Sequence, residues 1–343
     1  MARRPGGGGD VSTVVHGGTD GGPAPGVDAS TNANPLGPSP AARTALGADV
    51  HPYPDPGAAA TRAALAAHHH LEAARIVVGA GATELLDRLV RVVGGPVLVE
   101  EHAFGEYAAA ARRHGAALRQ VPTAALAEHV GDAALVVVAH PGSPHGRALP
   151  RRLLDDLAAA CRAAGAVLAV DLAYAPLTPA GTPLLPHDVV AVHAPNKAHG
   201  CTGLRAGWLV APEDLAVRLR AAGVTWQVST PGLAFLTATA RGDADRWVAG
   251  CVPRLLGWRD DLAADLRRLG LDVACGDAPF LLATLPDAAR RAGRLRDEHG
   301  VRVRECSSFG LVDTWRVAAL PPAARGVLVD AVAALLDGER SEP

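Results

Sequence analysis

The sequence predicts an α/β protein: a mainly parallel sheet covered by helices on both faces, followed by a smaller α+β unit. Three observations predict it. Short apolar runs alternate with helical patterns from about Ala41 to Ala211, as strands do when crossover helices join them. After about Arg241 the pattern changes to one long helical stretch and then closely spaced short strands. The composition, 343 residues with 49% apolar and 20% charged, leaves ample chain for a sizeable core and more than one domain.

The elements follow in order. Residues 1–27 are rich in Gly and Pro and read as a flexible arm. Helical spacing marks Thr61–His70, Glu84–Val93, Tyr107–Gly115 and Arg151–Ala164. Apolar runs mark strands at Ile76–Val78, Val97–Glu100, Leu135–Ala139, Val167–Val170, Val189–His193 and Gly207–Ala211. A helix around Arg246–Leu269 then leads to strands near Leu271–Ala274, Phe280–Thr284, Val301–Glu305 and Trp315–Ala318. This divides the chain into a large domain, 28–240, and a small C-terminal one, 241–343.

Several function classes are excluded at this level. No apolar run approaches the ~18–20 residues of a membrane span. Arg3 and Arg4 lead straight into Gly6–Gly9 with no apolar signal core, so a cytoplasmic location is expected. The five cysteines (Cys161, Cys201, Cys251, Cys275, Cys306) are scattered without a C-x-x-C pair, which argues against a disulfide framework and a zinc site. A net charge of -2 gives no electrostatic case for nucleic acid. His68, His69 and His70 are adjacent on a helical pattern and point around it, so a solvated run is expected and no metal site.

Lys197 is the only lysine in the chain. Arginine serves every other basic position, and arginine cannot be deprotonated to attack a carbonyl, whereas a lysine amine can. Composition alone leaves open a chance surface lysine. Ligands in open α/β sheets sit beyond the carboxyl ends of the strands. Asp171 ends one such strand, where a carboxylate suits the protonated ring nitrogen of pyridoxal 5′-phosphate (PLP). Tyr174 follows three residues later and suits the cofactor's 3′-oxygen. Gly79-Ala80-Gly81-Ala82-Thr83-Glu84 links a strand to a helix N-terminus, an anion cradle. Arg205 suits a phosphate and Arg316 a substrate carboxylate. His199, close to the lysine, is expected near the cofactor phosphate. Taken singly, each also has a structural reading as a cap, a packed ring or a surface charge.

The order Gly-rich turn, aromatic, Asp-x-x-Tyr, Lys, Gly-Leu-Arg-x-Gly and a late Arg resembles the class I/II aminotransferases of PLP fold type I, from roughly Val15 to the end. The nearest branch looks like the histidinol-phosphate aminotransferases and the CobC-like threonine-phosphate decarboxylases. His16-Gly17-Gly18, Asn32-Ala33-Asn34-Pro35-Leu36-Gly37-Pro38 and Val303-Arg304-Glu305-Cys306-Ser307-Ser308-Phe309-Gly310 carry the likeness to the decarboxylases, the last of them most specifically.

The resemblance implies a mainly parallel seven-stranded sheet, with residues 28–40 contributing to the small domain and substrate site. It implies Lys197 as Schiff-base anchor and proton shuttle, Asp171 on the pyridine nitrogen, Tyr174 on the 3′-oxygen and Phe104 stacked on the ring. Gly81, Ala82, Thr83 and Arg205 would hold the phosphate. Tyr53 would reach the phosphate of a neighbouring subunit, implying a homodimer with shared active sites. Asn34 and Arg316 would face a small amino-acid substrate, possibly phosphorylated. The resemblance implies an aminotransferase, with a decarboxylase, or a PLP-binding protein that has lost turnover, as alternatives. Ser143 stands where the family has an asparagine that donates to the 3′-oxygen. Ala194 and Asn196 stand where Ser/Thr is usual.

Overall fold

The computed structural model describes residues 16–18 and 24–340. The expected arm over 1–27 therefore lies largely outside the described residues. Among the described residues the first element is a two-residue strand, β1 (Val27–Asp28). The chain continues through β2 (Ile76–Gly79), β3 (Val97–Glu100), β4 (Leu118–Val121), β5 (Leu135–Ala139), β6 (Val167–Asp171), β7 (Val190–His193) and β8 (Gly207–Val210). Strands β2 to β8 form a seven-stranded sheet in the order β2-β8-β7-β6-β5-β3-β4. β8 runs antiparallel to both its neighbours, and the other pairings are parallel.

The sheet is apolar on both sides because both faces are covered. Successive side chains of a strand point to opposite faces. Val97, Val99, Leu135 and Val137 pack with Leu85, Leu89, Leu215 and Leu219 from helices Ala82–Val93 and Glu213–Ala222. Their neighbours Leu98, Val136 and Val138 pack with Leu154 and Leu157 of helix Arg151–Ala164. That helix ends at Gly165 in left-handed backbone (φ 69°), where the missing Cβ removes the steric penalty.

The later strands are β9 (Asp272–Cys275), β10 (Phe280–Thr284), β11 (Val301–Arg302), β12 (Arg304–Glu305) and β13 (Thr314–Ala318). Four of them form an antiparallel sheet, β12-β13-β10-β9, while β11 pairs in parallel with β1. The single strand expected over Val301–Glu305 is thus two, because the chain changes partner at Val303. Leu281, Trp315 and Val317 of this sheet pack with Leu262, Leu266, Leu328 and Leu335, and Val27 and Ala29 join the same core. Helix Gly242–Arg268 serves both regions. Val248, Cys251 and Leu255 pack beside Tyr174 and Phe280, whereas Leu262 and Leu266 enter the second core. Among the described residues, no helix is long and apolar enough to cross a membrane.

Candidate active site

The carboxyl ends of β2, β3, β5, β6 and β7 converge on a cavity of about 450 Å³ that the second sheet closes from the other side. Lys197 enters it from a single helical turn, Pro195–Ala198, that follows β7. Its Nζ donates to Tyr174 Oη at 2.8 Å and lies 3.9 Å from the Tyr174 ring centroid and 6.0 Å from that of Phe104. Burial opposes ionisation of the Tyr174 phenol, but the charges of Lys197 and Arg316 outweigh it and hold the phenol below its ordinary pKa.

Asp171 is the last residue of β6 and is buried. Its Oδ2 accepts from Tyr107 Oη at 2.8 Å and its Oδ1 from the backbone N of Ala173 at 2.9 Å. Two donors aim the carboxylate. Burial, together with the negative charge of Asp171, raises the Tyr107 phenol well above its usual pKa, so it stays protonated as a donor.

At one end of the cavity, helix Ala82–Val93 begins on Gly81, whose backbone (φ 98°, ψ 170°) suits only glycine. The N-terminal N–H groups of a helix lack partners inside it and favour an anion. Arg205, in left-handed backbone (φ 47°), brings its guanidinium beside this turn: a Cβ on Gly81 would meet Arg205 Nη2 at 2.9 Å. Gly207 makes room as well, since its Cβ would lie 3.0 Å from Gly81 Cα. Asn196 lines the same cavity, and its buried Oδ1 has no hydrogen-bond partner among the described residues.

At the other end stands Arg316 of β13. Its Nη1 donates to Ser143 Oγ and its Nη2 to Ser30 O, both at 2.8 Å. Arg304 sits opposite it in register on β12 and donates to Ser308 Oγ at 2.5 Å. Burial and the charge of Arg316 lower the Arg304 pKa. An anion cradle, a lysine amine, a strand-end carboxylate and a phenol, with a flat ring (Phe104) alongside, fit the phosphate, aldehyde, ring nitrogen and hydroxyl of PLP.

The structure gathers most of the residues singled out in the sequence. Lys197, Asp171, Tyr174, Phe104, Thr83, Ser143, Arg205 and Arg316 line the cavity, and Gly81 and Ala82 form the turn beside Arg205. Four expectations need correction or remain outside. Asn34 does not line the cavity: its Nδ2 donates to Ala198 O at 2.9 Å and its Oδ1 accepts from Leu36 N. Asn32 lines it instead. His199 is buried against Ser39 Oγ and Trp247 and does not line the cavity, and burial lowers its pKa to about 4. His68 is bonded to Asp245 at 2.7 Å and His69 lies against Trp208, so the histidine run is only partly solvated. Among the described residues no group of three metal-ligating side chains occurs. Tyr53 is 78% exposed and stacks on Trp226 at 4.4 Å, outside this chain's own cavity. Sequence reasoning gave no role to Tyr107, Asn32 or Arg304. Tyr107 carried a signal in its rarity, being one of three tyrosines.

A profile of the class I and II aminotransferases matches residues 25–332. The histidinol-phosphate aminotransferase of Ruegeria pomeroyi is 34% identical over 335 residues, covering 90% of each chain. Among solved structures, the PLP complex of histidinol-phosphate aminotransferase from Sinorhizobium meliloti superposes with a TM-score of 0.84 at 23% identity, covering 92% of each chain. The L-threonine-O-3-phosphate decarboxylase of Porphyromonas gingivalis superposes at 0.75, also 23% identical, over 84% of this chain and 91% of that one.

Proposed function

The chain belongs to the class I and II aminotransferases and is a PLP-dependent enzyme, and on that premise we propose how its residues divide the work of amino transfer. The observation that carries the reading is the Lys197 amine bonded to a buried Tyr174 phenol in one cavity with Asp171 and the Gly81–Thr83 cradle. PLP, when bound, supplies an electron sink for a bond broken at Cα.

The chain's own groups do the rest. Lys197 would hold the cofactor through its carbonyl carbon, and its free amine would take the substrate's Cα proton as a base and give it up again as an acid. Asp171, aimed by Tyr107 and the Ala173 N–H, would pair with the ring nitrogen. The Gly81–Thr83 N–H groups and Arg205 would hold the phosphate, with the Asn196 amide as a further partner in place of the missing Ser/Thr hydroxyls. Phe104 would cover the ring, and Tyr174 would meet the 3′-oxygen. Arg316 holds an anionic group of the substrate, and Arg304 beside it suits a second one. The substrate class is therefore a small amino acid or amine with an added phosphate or carboxylate; the name of the Ruegeria relative points to a phosphorylated one. Decarboxylation at Cα is the second reading. It is favoured by Ser308 and Phe309, which line the cavity from the stretch that resembles the decarboxylases.

A homodimer in the cytoplasm completes the proposal. The exposed Tyr53–Trp226 stack supplies an apolar contact, and Tyr53 reaches the partner's phosphate site. Trp226→Ala should shift sedimentation equilibrium toward monomer; an unchanged dimer would remove the stack from the interface.

Borohydride treatment of the PLP-loaded protein should fix the cofactor on Lys197, read by peptide mass spectrometry. Lys197→Arg should keep the fold and lose turnover by about 10²–10⁴-fold or more. Retained turnover, or a label elsewhere, refutes the assignment. Keto product without CO₂ release means amino transfer, and CO₂ release without a keto product means decarboxylation.

A further inference from the structure

We propose that Asn32 is a positioning residue that acts through Tyr174, its amide taking over the part of the amide that Ser143 does not supply. The inference rests on the assignment of Tyr174 to the cofactor's 3′-oxygen.

The first observation is a loss. Where an asparagine amide is usual, this chain has Ser143, whose Oγ accepts from Arg316 Nη1 at 2.8 Å. A serine side chain is one bond shorter than an asparagine amide and offers one hydrogen instead of two. One of its two lone pairs is engaged by Arg316, which holds the hydroxyl toward the Arg316 end of the cavity.

The second is a gain. Asn32 is 6% exposed, lines the cavity and approaches Tyr174 Oη with Nδ2 at 3.4 Å. Lys197 Nζ donates to the same oxygen. Two donors on one phenol oxygen favour its anion and make its own O–H a stronger donor. The Oδ1 of Asn32 is buried without a hydrogen-bond partner among the described residues. An amide held at that expense needs a use, since an unpaired buried acceptor is unfavourable.

The third is the anchorage. Asn34 N donates to Lys197 O, Asn34 Nδ2 to Ala198 O, and Ser39 N to His199 O. Gly37 lies so close to Gly200 that a Cβ on it would stand 2.6 Å from Gly200 Cα. The segment carrying Asn32 is thus strapped to the turn carrying Lys197, and amide, phenol and amine keep one geometry.

The test uses two titrations. In the cofactor-free protein, ultraviolet absorbance follows phenol ionisation, and Tyr174→Phe identifies the Tyr174 step. Asn32→Ala should raise that step by about one unit, tenfold in its acid constant. Asn32→Asp keeps the packing, replaces the donor by an acceptor and should raise it further. In the PLP-loaded protein, the pH midpoint of the visible absorbance should rise with Asn32→Ala and return toward the parent value when Ser143→Asn is added. An unmoved Tyr174 step in both Asn32 variants overturns the inference with or without cofactor. A phenol step that moves while the visible midpoint stays fixed overturns the substitution for Ser143. A parent protein that develops no visible band would instead fail the cofactor assignment.

Discussion

Gly81→Ala separates the geometry of the anion cradle from its charge. The backbone at Gly81, φ 98° and ψ 170°, is a region that an L side chain occupies at about 1–3 kcal/mol. The new Cβ would stand 2.9 Å from Arg205 Nη2 and 3.5 Å from its Cζ. The guanidinium, the end of a flexible side chain, swings away and withdraws one charge-assisted hydrogen bond from the phosphate. Such a bond contributes about 1.5–3 kcal/mol. Arg205 is exposed, so the lower half of that range applies, and the dissociation constant for PLP should rise roughly 10- to 50-fold. Fluorescence titration with PLP measures it, and thermal unfolding reports the backbone strain separately. Arg205→Lys should weaken binding without the loss of thermal stability. A Gly81→Ala protein that binds PLP within threefold of the parent refutes the reasoning.

Two further outcomes follow from the buried phenols. Tyr107→Phe removes the Oη that reaches Asp171 in a side chain 1% exposed. Urea unfolding of the cofactor-free protein should show about 1.5–3 kcal/mol less stability, and a change below about 0.5 would mean that the carboxylate finds another donor. Tyr174 has its folded pKa held below the unfolded value, so it contributes stability that is present above about pH 10 and is lost as pH falls through the folded value. The stability advantage of the parent over Tyr174→Phe should therefore grow with pH in the window just below about 10, and a flat difference there contradicts the assigned charge environment.

Much of the site was legible because chemistry at the end of a parallel strand has a simple address. Asp171 and the Lys197 turn each follow an apolar run, and Gly81 sits where a strand meets a helix. What escaped depends on contacts between distant segments. Asn32 and Asn34 are two residues apart in the same stretch, and only the carbonyl of Ala198, far along the chain, decides which one is consumed as a tie. Which end of the cavity the Ser143 hydroxyl faces is decided by Arg316 from the opposite sheet. β4 was missed because Arg119 and Gln120 are exposed at the sheet's edge and leave no apolar run. The break at Val303 was missed because one run of alternating apolar and charged residues, Val301–Glu305, feeds two partners.

The pairing of β1 with β11 has a consequence for how the chain is made. Val27 lies beside Val301, and Ala29 O accepts from Ala318 N. On the ribosome β1 emerges long before its partner exists. The seven-stranded sheet has its described strands by Val210, while Val27–Ala29 must wait until Val301 and Ala318 have been made. Contacts this distant in sequence slow folding, because a large loop closes before they form. Ser30 O accepts from Arg316 Nη2, so the same seam sets the Arg316 end of the cavity. A nascent chain that has not reached Thr314 lacks the strand that carries Arg316, whatever has already formed around the lysine turn and the Gly81 turn.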